Sequence, residues 1–360
     1  MTAWGTETPI VIRRITNYYT VLWEGLELLC LPRARLKKEQ VSIRVGDRVV
    51  LDEVDRVNRT AAIAQVLPRD NELTRPPIAN VDQAVLVFAA DRPAFDPMMV
   101  DRFLVLVAQS GISPVLAVNK ADLVDPEGLA EQVGPYQAIG FPVVTTSARD
   151  GDVADLVGLL EQRVTVFAGP SGVGKSSLLN AVHPGLELKA LDVSEKIQRG
   201  RHTTTFASLY PLELSSGLAL VADTPGYSHL DFGPLAPDQL GWLFPEMAPH
   251  IPDCRFQDCL HRSEPGCAVK ERAELSESRY ASYLRFLDEL EAKAARLSST
   301  SLKDEGTVKS KAIAGGGETK LIKLGVAARS ASRRLVRQQL ATDLHEDEGE
   351  IEDDLDETEE

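Results

Sequence analysis

The segment Gly169-Pro170-Ser171-Gly172-Val173-Gly174-Lys175-Ser176 sets the fold class of this chain. Its glycines let backbone N–H groups converge on phosphate oxygens, and Lys175 is placed to reach the β- and γ-phosphates of a nucleotide. Ser176 would offer its hydroxyl to Mg²⁺, and Ser177 continues into a helical pattern. An apolar run at Val164 to Ala168 precedes the segment, so the strand–loop–helix context of a phosphate-binding loop is present. A glycine-rich turn without a nucleotide is the alternative, which the motifs described next disfavour.

A second motif, Asn119-Lys120-Ala121-Asp122, precedes the phosphate loop. Asp122 can accept two hydrogen bonds from the N1 and N2 donors of guanine, a pattern that adenine cannot present. Ser147-Ala148 matches the short loop that backs a guanine base through a backbone N–H. A third motif, Asp223-Thr224-Pro225-Gly226, comes last, and we expect its Asp223 and Gly226 to contact the nucleotide. In ordinary GTPases the base-reading motif follows the phosphate loop, so this order predicts a circularly permuted GTPase domain.

The groups that would complete hydrolysis fall between the phosphate loop and Asp223, in Gly200-Arg201-His202-Thr203-Thr204-Thr205. We expect Thr204 to complete the Mg²⁺ shell, with Thr205 as the second candidate. Ras-like enzymes orient the catalytic water with a glutamine directly after Asp-x-x-Gly, whereas this chain has Tyr227 there. A neutral His202 imidazole can accept a hydrogen bond from water, and a solvent-facing switch residue is its alternative. Arg201 could stabilise phosphoryl charge or contact RNA.

Three of the four cysteines lie within fourteen residues, in the pattern Cys254-x₄-Cys259-x-His261-x₅-Cys267. Three thiolates and one imidazole suit a closed tetrahedral Zn²⁺ site, which would be structural because no position is left open. A redox role or unlinked buried thiols are the alternatives. Cys30, in an apolar run, is expected in the core.

Residues 10–70 contain five short β-rich runs and no convincing helix, which predicts a small barrel of the OB-fold type. The basic stretch Arg33 to Lys38 is expected to be a loop that contacts phosphate backbones, or simply a solvated hairpin tip. Asn71 to Pro77 is expected to be a linker. The limits of this first domain are predicted as 1–75.

From Val81 onward, apolar strands alternate with helical segments, as in a mainly parallel sheet covered on both faces. The predicted strands are Ala84 to Ala89, Val115 to Val118, Val143 to Thr145, Val164 to Ala168 and Leu218 to Ala222. The predicted domains are an α/β P-loop GTPase domain at 79–234 and a zinc-binding domain at 235–297 that includes a helix from Glu271 to Leu297. Residues 298–360 are predicted to hold a polar linker, a basic helix at Lys320 to Leu340 and a disordered acidic tail.

The formal charge of −15 is concentrated in that tail, because Glu346 to Glu360 contains eleven acidic residues and no basic one, leaving about −4 elsewhere. The acidic tail could compete with RNA for the basic helix, and a solvated, solubilising tail is the alternative. Met1 to Pro9 has no signal-peptide pattern, and no run approaches the roughly 18 apolar residues that span a bilayer. We therefore expect a cytoplasmic protein without a membrane partner, and a monomer.

Together these residues resemble the RsgA-type GTPases that depend on the small ribosomal subunit, also called the YjeQ/YloQ family. The resemblance covers about residues 1–297 and is carried by Gly169 to Ser177, Val193 to Thr205, Asp223 to Gly226 and the Cys/His set. It implies GTP with Mg²⁺ and one Zn²⁺ at the matching positions. It also implies a late assembly factor that contacts 16S ribosomal RNA on the 30S subunit, hydrolyses GTP there and helps to release other assembly factors and itself.

Two other functional classes are compatible with parts of this pattern. A non-hydrolysing, GTP-dependent RNA-binding module would explain Tyr227 as a mark of lost catalysis. A P-loop ATPase or kinase would share the phosphate loop, but the motif at Asn119 to Asp122 argues against it.

Overall fold

The computed structural model describes residues 8–74, 76–184, 207–214, 217–223, 231–304, 308–313 and 317–322. The N-terminal domain is a barrel made of β1 (Ile10–Ile15), β2 (Tyr18–Trp23), β3 (Leu26–Pro32), β4 (Val49–Asp55) and β5 (Thr60–Val66). Its strand order is β1-β2-β3-β5-β4, and β3 and β5 run parallel. A bridge between Ile10 and Arg48 closes the barrel, and alternate side chains such as Leu28 and Ile63 are fully buried inside it. The predicted five-stranded barrel is confirmed.

The basic stretch after β3 is a helix rather than the predicted loop. Helix α1 (Ala34–Lys38) forms because Leu36 is buried in the barrel core and holds one turn against it. Its cations stay outside, where Arg35 and Lys37 are exposed. The basic charge is therefore carried on a short helix that is packed onto the barrel.

The predicted linker at Asn71 to Pro77 is also wrong. The chain forms an antiparallel hairpin of β6 (Glu72–Thr74) and β7 (Pro77–Ala79). Leu73 and Ile78 are buried in the core that the barrel shares with the next domain. These two apolar side chains explain why the segment is held in place rather than solvated.

The six-stranded sheet has the order β10-β9-β8-β11-β13-β12, and it is parallel except for β12, which runs antiparallel to β13. Its strands are β8 (Gln83–Ala89), β9 (Ser113–Asn119), β10 (Val143–Thr145), β11 (Val164–Ala168), β12 (Tyr210–Leu214) and β13 (Gly217–Asp223). The five predicted strands are confirmed, and β12 was not predicted. Every residue of β8 is buried, as expected of a strand covered on both faces.

Helices cover both faces of this sheet: α2 (Pro97–Gln109), α3 (Pro126–Ala138), α4 (Ala154–Leu160) and α5 (Lys175–Val182). Helix α2 begins where the Asp96 carboxylate accepts hydrogen bonds from the N–H groups of Met98 and Met99. Its apolar face joins the core on the barrel side, whereas α4 and α5 cover the opposite face.

Main-chain hydrogen bonds join the barrel to β7 and to the residue that precedes β12. The Ala79 N–H donates to the Val45 carbonyl (2.8 Å), and the Leu209 N–H donates to the Ile12 carbonyl (2.8 Å). Gly46 lies at this junction with φ +88°, and a Cβ there would be 1.9 Å from the Ala79 carbonyl oxygen. Only glycine permits so close an approach of the two backbones.

Residues 231–290 form a C-terminal module on α2. It contains the 3₁₀ segments Pro237–Leu243 and Ala248–Asp253, α6 (Ala268–Arg272) and the first half of α7 (Glu277–Asp304). Its core includes Phe244, Tyr283 and Phe286. The predicted helix from Glu271 to Leu297 is thus divided by the non-helical residues 273–276.

A buried ionic cluster attaches this module to α2. The Arg279 guanidinium donates to Asp101 Oδ1 (2.7 Å) and to both carboxylate oxygens of Glu246 (2.7 and 3.1 Å). The three side chains are at most 5% exposed. Arg279 also lies 4.7 Å from the centre of the Phe244 ring. The module is therefore fixed by charge as well as by apolar packing.

The chain divides into two compact units, Met1–Leu290 and Glu291–Glu360. In the second unit α7 continues to Asp304, and β14 (Val308–Ile313) pairs antiparallel with β15 (Gly317–Ile322). The predicted linker at 298–319 is therefore partly regular, and the predicted helix at Lys320 to Leu340 is wrong for its first three residues. The register of this hairpin pairs Val308 with Ile322 and Ile313 with Gly317. Residues 323–360, including the acidic tail, lie outside the described residues.

Candidate nucleotide and metal sites

The loop after β11 has the backbone geometry of a phosphate cradle. Gly169 (φ +143°) lies so close to β8 that a Cβ would be 2.1 Å from the Val87 carbonyl oxygen. Gly174 (φ +92°) precedes α5, where a Cβ would be 2.6 Å from the Asn119 amide nitrogen. These positions exclude other residues, so the loop can present its N–H groups at the start of α5.

Lys175 is the first residue of α5 and bends back over the loop. Its Nζ donates to the carbonyl oxygens of Gly169 and Pro170, both at 2.8 Å. The ammonium is thus held within the loop that would carry the phosphates. Ser171, Ser176 and Ser177 are exposed beside it.

Asn119, at the end of β9, links the three segments of the candidate site. Its side chain is buried, and its amide donates to the Val173 carbonyl (2.9 Å) in the phosphate loop. Its Oδ1 accepts from Thr146 Oγ1 (3.3 Å) and from the Ala148 N–H (3.2 Å). A motif that sequence suggests for base recognition therefore also holds the phosphate loop to the loop after β10.

Lys120 and Asp122 line the cavity that this link creates. Lys120 adopts φ +60°, and its Nζ donates to the carbonyls of Gly172 (2.8 Å) and Arg92. Ala121 begins a 3₁₀ turn that places Asp122 against Ser147, whose Oγ donates to Asp122 Oδ1 (2.8 Å). The cavity measures about 300 Å³ and is lined by Asn119, Lys120, Asp122, Ala148, Arg149 and Gly174.

Sequence reasoning missed Arg149 in this cavity. Its guanidinium is 3.0 Å from Asp122 Oδ2 and 3.0 Å from Asp150 Oδ1. Hydrogen bonding to Arg149 holds the pKa of the Asp150 carboxyl below its ordinary value. Its position directly after Ser147-Ala148 could have placed Arg149 near the base-reading motif. The sequence does not show, however, that its side chain would pair with Asp122.

The third motif is only partly described. Asp223 is the last described residue of β13, and it pairs in parallel register with Phe167 of β11. The two strands are neighbours, so the chain leaves the sheet beside the phosphate loop. His202, Thr204, Gly226 and Tyr227 lie outside the described residues.

The Cys/His set converges in the C-terminal module. The ligand atoms of Cys254, Cys259, His261 and Cys267 all lie within 4.8 Å of one another, and the last three side chains are buried. His261 Nδ1 is 3.7 Å from the Cys254 sulfur and 3.4 Å from the Cys267 sulfur. Tetrahedral Zn–S bonds of about 2.3 Å separate neighbouring ligands by roughly 3.7 Å, so this donor set fits a zinc ion.

Burial favours the uncharged forms of these side chains. Burial raises the pKa of the Cys259 thiol to about 12 and lowers the pKa of His261. A neutral imidazole is the form that ligates metal, and a divalent charge beside the thiols would reverse their shift. Within the described part of the chain, no other group of three or more Cys, His, Asp or Glu side chains converges in this way.

None of the helices in the described residues is both long enough and apolar enough to cross a membrane.

Comparison with known proteins gives one family throughout. The family model described as RsgA GTPase matches residues 66–233. The small ribosomal subunit biogenesis GTPase RsgA of Geobacillus kaustophilus is 43% identical over 293 residues, covering 79% of this chain and 98% of that protein. Solved structures give the same family. The crystal structure of YjeQ from Thermotoga maritima has a TM-score of 0.68 and 36% sequence identity, and the match covers 79% of this chain and 98% of the YjeQ chain.

A second solved structure, YloQ, is described as a circularly permuted GTPase and has a TM-score of 0.67 at 36% identity, covering 79% of this chain and 95% of its own. The permuted order of motifs predicted from the sequence agrees with this similarity. Because identity near 40% extends over nearly the whole length of these relatives, this chain belongs to the RsgA GTPase family.

Proposed function

We propose that this chain is a GTP hydrolase that acts in late maturation of the small (30S) ribosomal subunit. The observation that carries the proposal is the link made by Asn119, which joins the phosphate loop, the base-reading motif and the loop after β10 into one site. Relatives named as small ribosomal subunit biogenesis GTPases support the biological role. The proposal is tested by measuring whether binding to the small subunit depends on the bound nucleotide.

In this site the base and the phosphates would have separate partners. Asp122 would accept hydrogen bonds from N1 and N2 of guanine, and the Ser147 hydroxyl would hold the Asp122 carboxylate in place. The Ala148 N–H would back the guanine base. The N–H groups of Gly169 to Ser177 would surround the phosphates. Lys175 would exchange its two carbonyl partners for phosphate oxygens, which carry full negative charge. Ser176 and Thr204 would hold Mg²⁺, with Asp223 and Gly226 beside the γ-phosphate.

The proposed catalytic groups are Lys175, Thr204 and His202. His202 is proposed because Tyr227 stands where a water-orienting glutamine is found in Ras-like enzymes. We expect His202→Ala to bind GTP nearly as the wild type does and to lose about 10²-fold or more of its subunit-stimulated turnover. If subunit-stimulated turnover were unchanged in that variant, His202 would be a solvent-facing residue without a catalytic role.

We propose one structural Zn²⁺ per chain, held by Cys254, Cys259, His261 and Cys267. It would neutralise the thiolates and fix a loop-rich segment. Cys259→Ala should release the metal and leave nucleotide binding to the distant site intact. Metal analysis of protein purified without added zinc measures this directly, and protein with neither zinc nor iron would contradict the assignment.

We propose that the chain contacts 16S ribosomal RNA and helps to release other assembly factors and itself, acting as a cytoplasmic monomer. The exposed cations of α1, such as Arg35 and Lys37, lie on the barrel and support an RNA contact. The permuted order places Asp223 directly before the C-terminal module, so loss of the γ-phosphate would act on the segment that joins the sheet to that module.

Co-sedimentation with purified small subunits tests the proposal. Binding should be strong with a non-hydrolysable GTP analogue, weaker with GDP, and weak with large subunits as a control. Analytical ultracentrifugation of the free chain tests the monomer. Equal binding in both nucleotide states would contradict a GTP-controlled factor.

A further inference from the structure

The metal loop, residues 254–267, contains a main-chain conformation that needs support. His261 adopts φ +56°, the left-handed region that a residue with a side chain seldom occupies. Such a residue persists only where its surroundings fix it. The hydrogen bonds of the flanking backbone show what fixes it.

Glu264 holds the loop from within. Its Oε1 accepts from the Leu260 N–H (2.9 Å), and its Oε2 accepts from the N–H groups of Arg262 (2.8 Å) and Ser263 (3.0 Å). These donors lie on both sides of His261. One carboxylate therefore closes the turn that aims the imidazole at the three sulfurs.

Helix α7 holds the same turn from outside. The Tyr280 hydroxyl donates to the His261 carbonyl (2.8 Å), and the Tyr283 hydroxyl donates to the Leu260 carbonyl (2.9 Å). Their rings stack, with planes 12° apart. The loop's N–H groups are thus bound by a carboxylate and its carbonyls by two phenols, as hydrogen-bonding chemistry requires of each.

We propose that Glu264, Tyr280 and Tyr283 are positioning residues of the metal site, which hold His261 in its ligating conformation. The proposal rests on the zinc site proposed above. It predicts that these three side chains, which hydrogen-bond the backbone at and beside His261, control the metal affinity.

The geometry makes Glu264→Gln an informative change. An amide keeps the size of the side chain but offers one acceptor oxygen, and its NH₂ group would face an N–H donor. At least one of the three hydrogen bonds must therefore be lost. Glu274→Gln is the matched control, because Glu274 is exposed and lies outside the metal loop.

The experiment measures zinc affinity of the full chain by competition with a chromophoric chelator. We expect Glu264→Gln to bind zinc about 10- to 100-fold more weakly and Glu274→Gln to match the wild type. Cobalt-loaded Glu264→Gln should show an altered d–d spectrum. Tyr283→Phe, a milder change for use if the first variant does not fold, should lose about 5-fold.

General destabilisation is controlled with Leu290→Ala, which opens the same apolar core away from the loop. That variant should melt at a lower temperature yet keep its zinc affinity and cobalt spectrum when folded. Wild-type zinc affinity in Glu264→Gln, or an equal loss in Leu290→Ala, would overturn the proposal. A wild-type chain that binds no zinc would instead refute the zinc site itself.

Discussion

Replacing Arg279 by methionine should be among the most damaging single changes in the C-terminal module. Arg279 is 2% exposed and pairs with two buried carboxylates, Asp101 and Glu246. Methionine keeps the volume and removes the charge, so both carboxylates remain buried without a cation. Breaking a buried ion pair from one side costs about 3–5 kcal/mol, and we expect a loss in that range.

The assay is urea unfolding of the full chain, followed by tryptophan fluorescence in a background where Trp4 and Trp23 are replaced by phenylalanine, so that Trp242 of the module is the remaining reporter. Arg272→Met is the matched control, since Arg272 and its partner Asp253 are both more than half exposed. The control should change stability by less than about 1 kcal/mol. A loss below 1 kcal/mol in Arg279→Met as well would refute the view that this cluster holds the module.

The pH dependence of the loss gives a second test. Burial raises the pKa of Asp101 even with Arg279 present, and removing the guanidinium should raise it further. A carboxyl whose pKa is higher in the folded state than in the unfolded state lowers the free energy of unfolding, and this cost is largest at a pH above the folded-state pKa. The deficit of Arg279→Met should therefore be larger at pH 8 than at pH 5. A triple variant that also replaces both carboxylates by apolar residues should recover most of the loss.

Three further predictions concern the nucleotide site and the barrel junction. Asp122→Asn should weaken GTP binding and admit xanthosine triphosphate, measured by competition; ATP displacing GTP at similar concentrations would contradict guanine recognition. Arg149→Ala should tighten GTP binding about 2- to 5-fold in titration calorimetry, because the guanidinium competes with guanine for Asp122 Oδ2; weaker binding would mean that Arg149 supports the base. Gly46→Ala should lower the melting temperature well below that of Gly111→Ala, since both have positive φ but only Gly46 has a neighbouring carbonyl within 4 Å; equal melting temperatures would contradict the close contact.

Much of the fold was predictable because the decisive signals are local. Continuous apolar runs identify buried parallel strands, and the carboxyl ends of such strands meet at one edge of the sheet. Asn119 ends one such strand and the phosphate loop follows another, and the Asn119 amide reaches the Val173 carbonyl of that loop, as that rule requires. The Cys/His spacing likewise predicted the convergence seen in the metal loop.

What the sequence did not reveal depends on distant partners. The basic stretch forms a helix because Leu36 is buried in the barrel core. The predicted linker forms a hairpin because Leu73 and Ile78 are buried in the core that the barrel shares with the next domain. Tertiary packing decided these elements over local propensity. The roles of Arg149 and Glu264 were also hidden, since a charged residue in a loop shows its partner only when the chain is folded.

We expect GTP hydrolysis by this chain to be controlled by the small ribosomal subunit. The most direct measurement is steady-state GTP turnover with and without purified small subunits, with large subunits and the Lys175→Ala variant as controls. We predict slow turnover without subunits, a rise that saturates with small-subunit concentration, and no rise in either control. Tight GTP binding with turnover unchanged by small subunits would contradict it and favour a non-hydrolysing, GTP-dependent RNA-binding module.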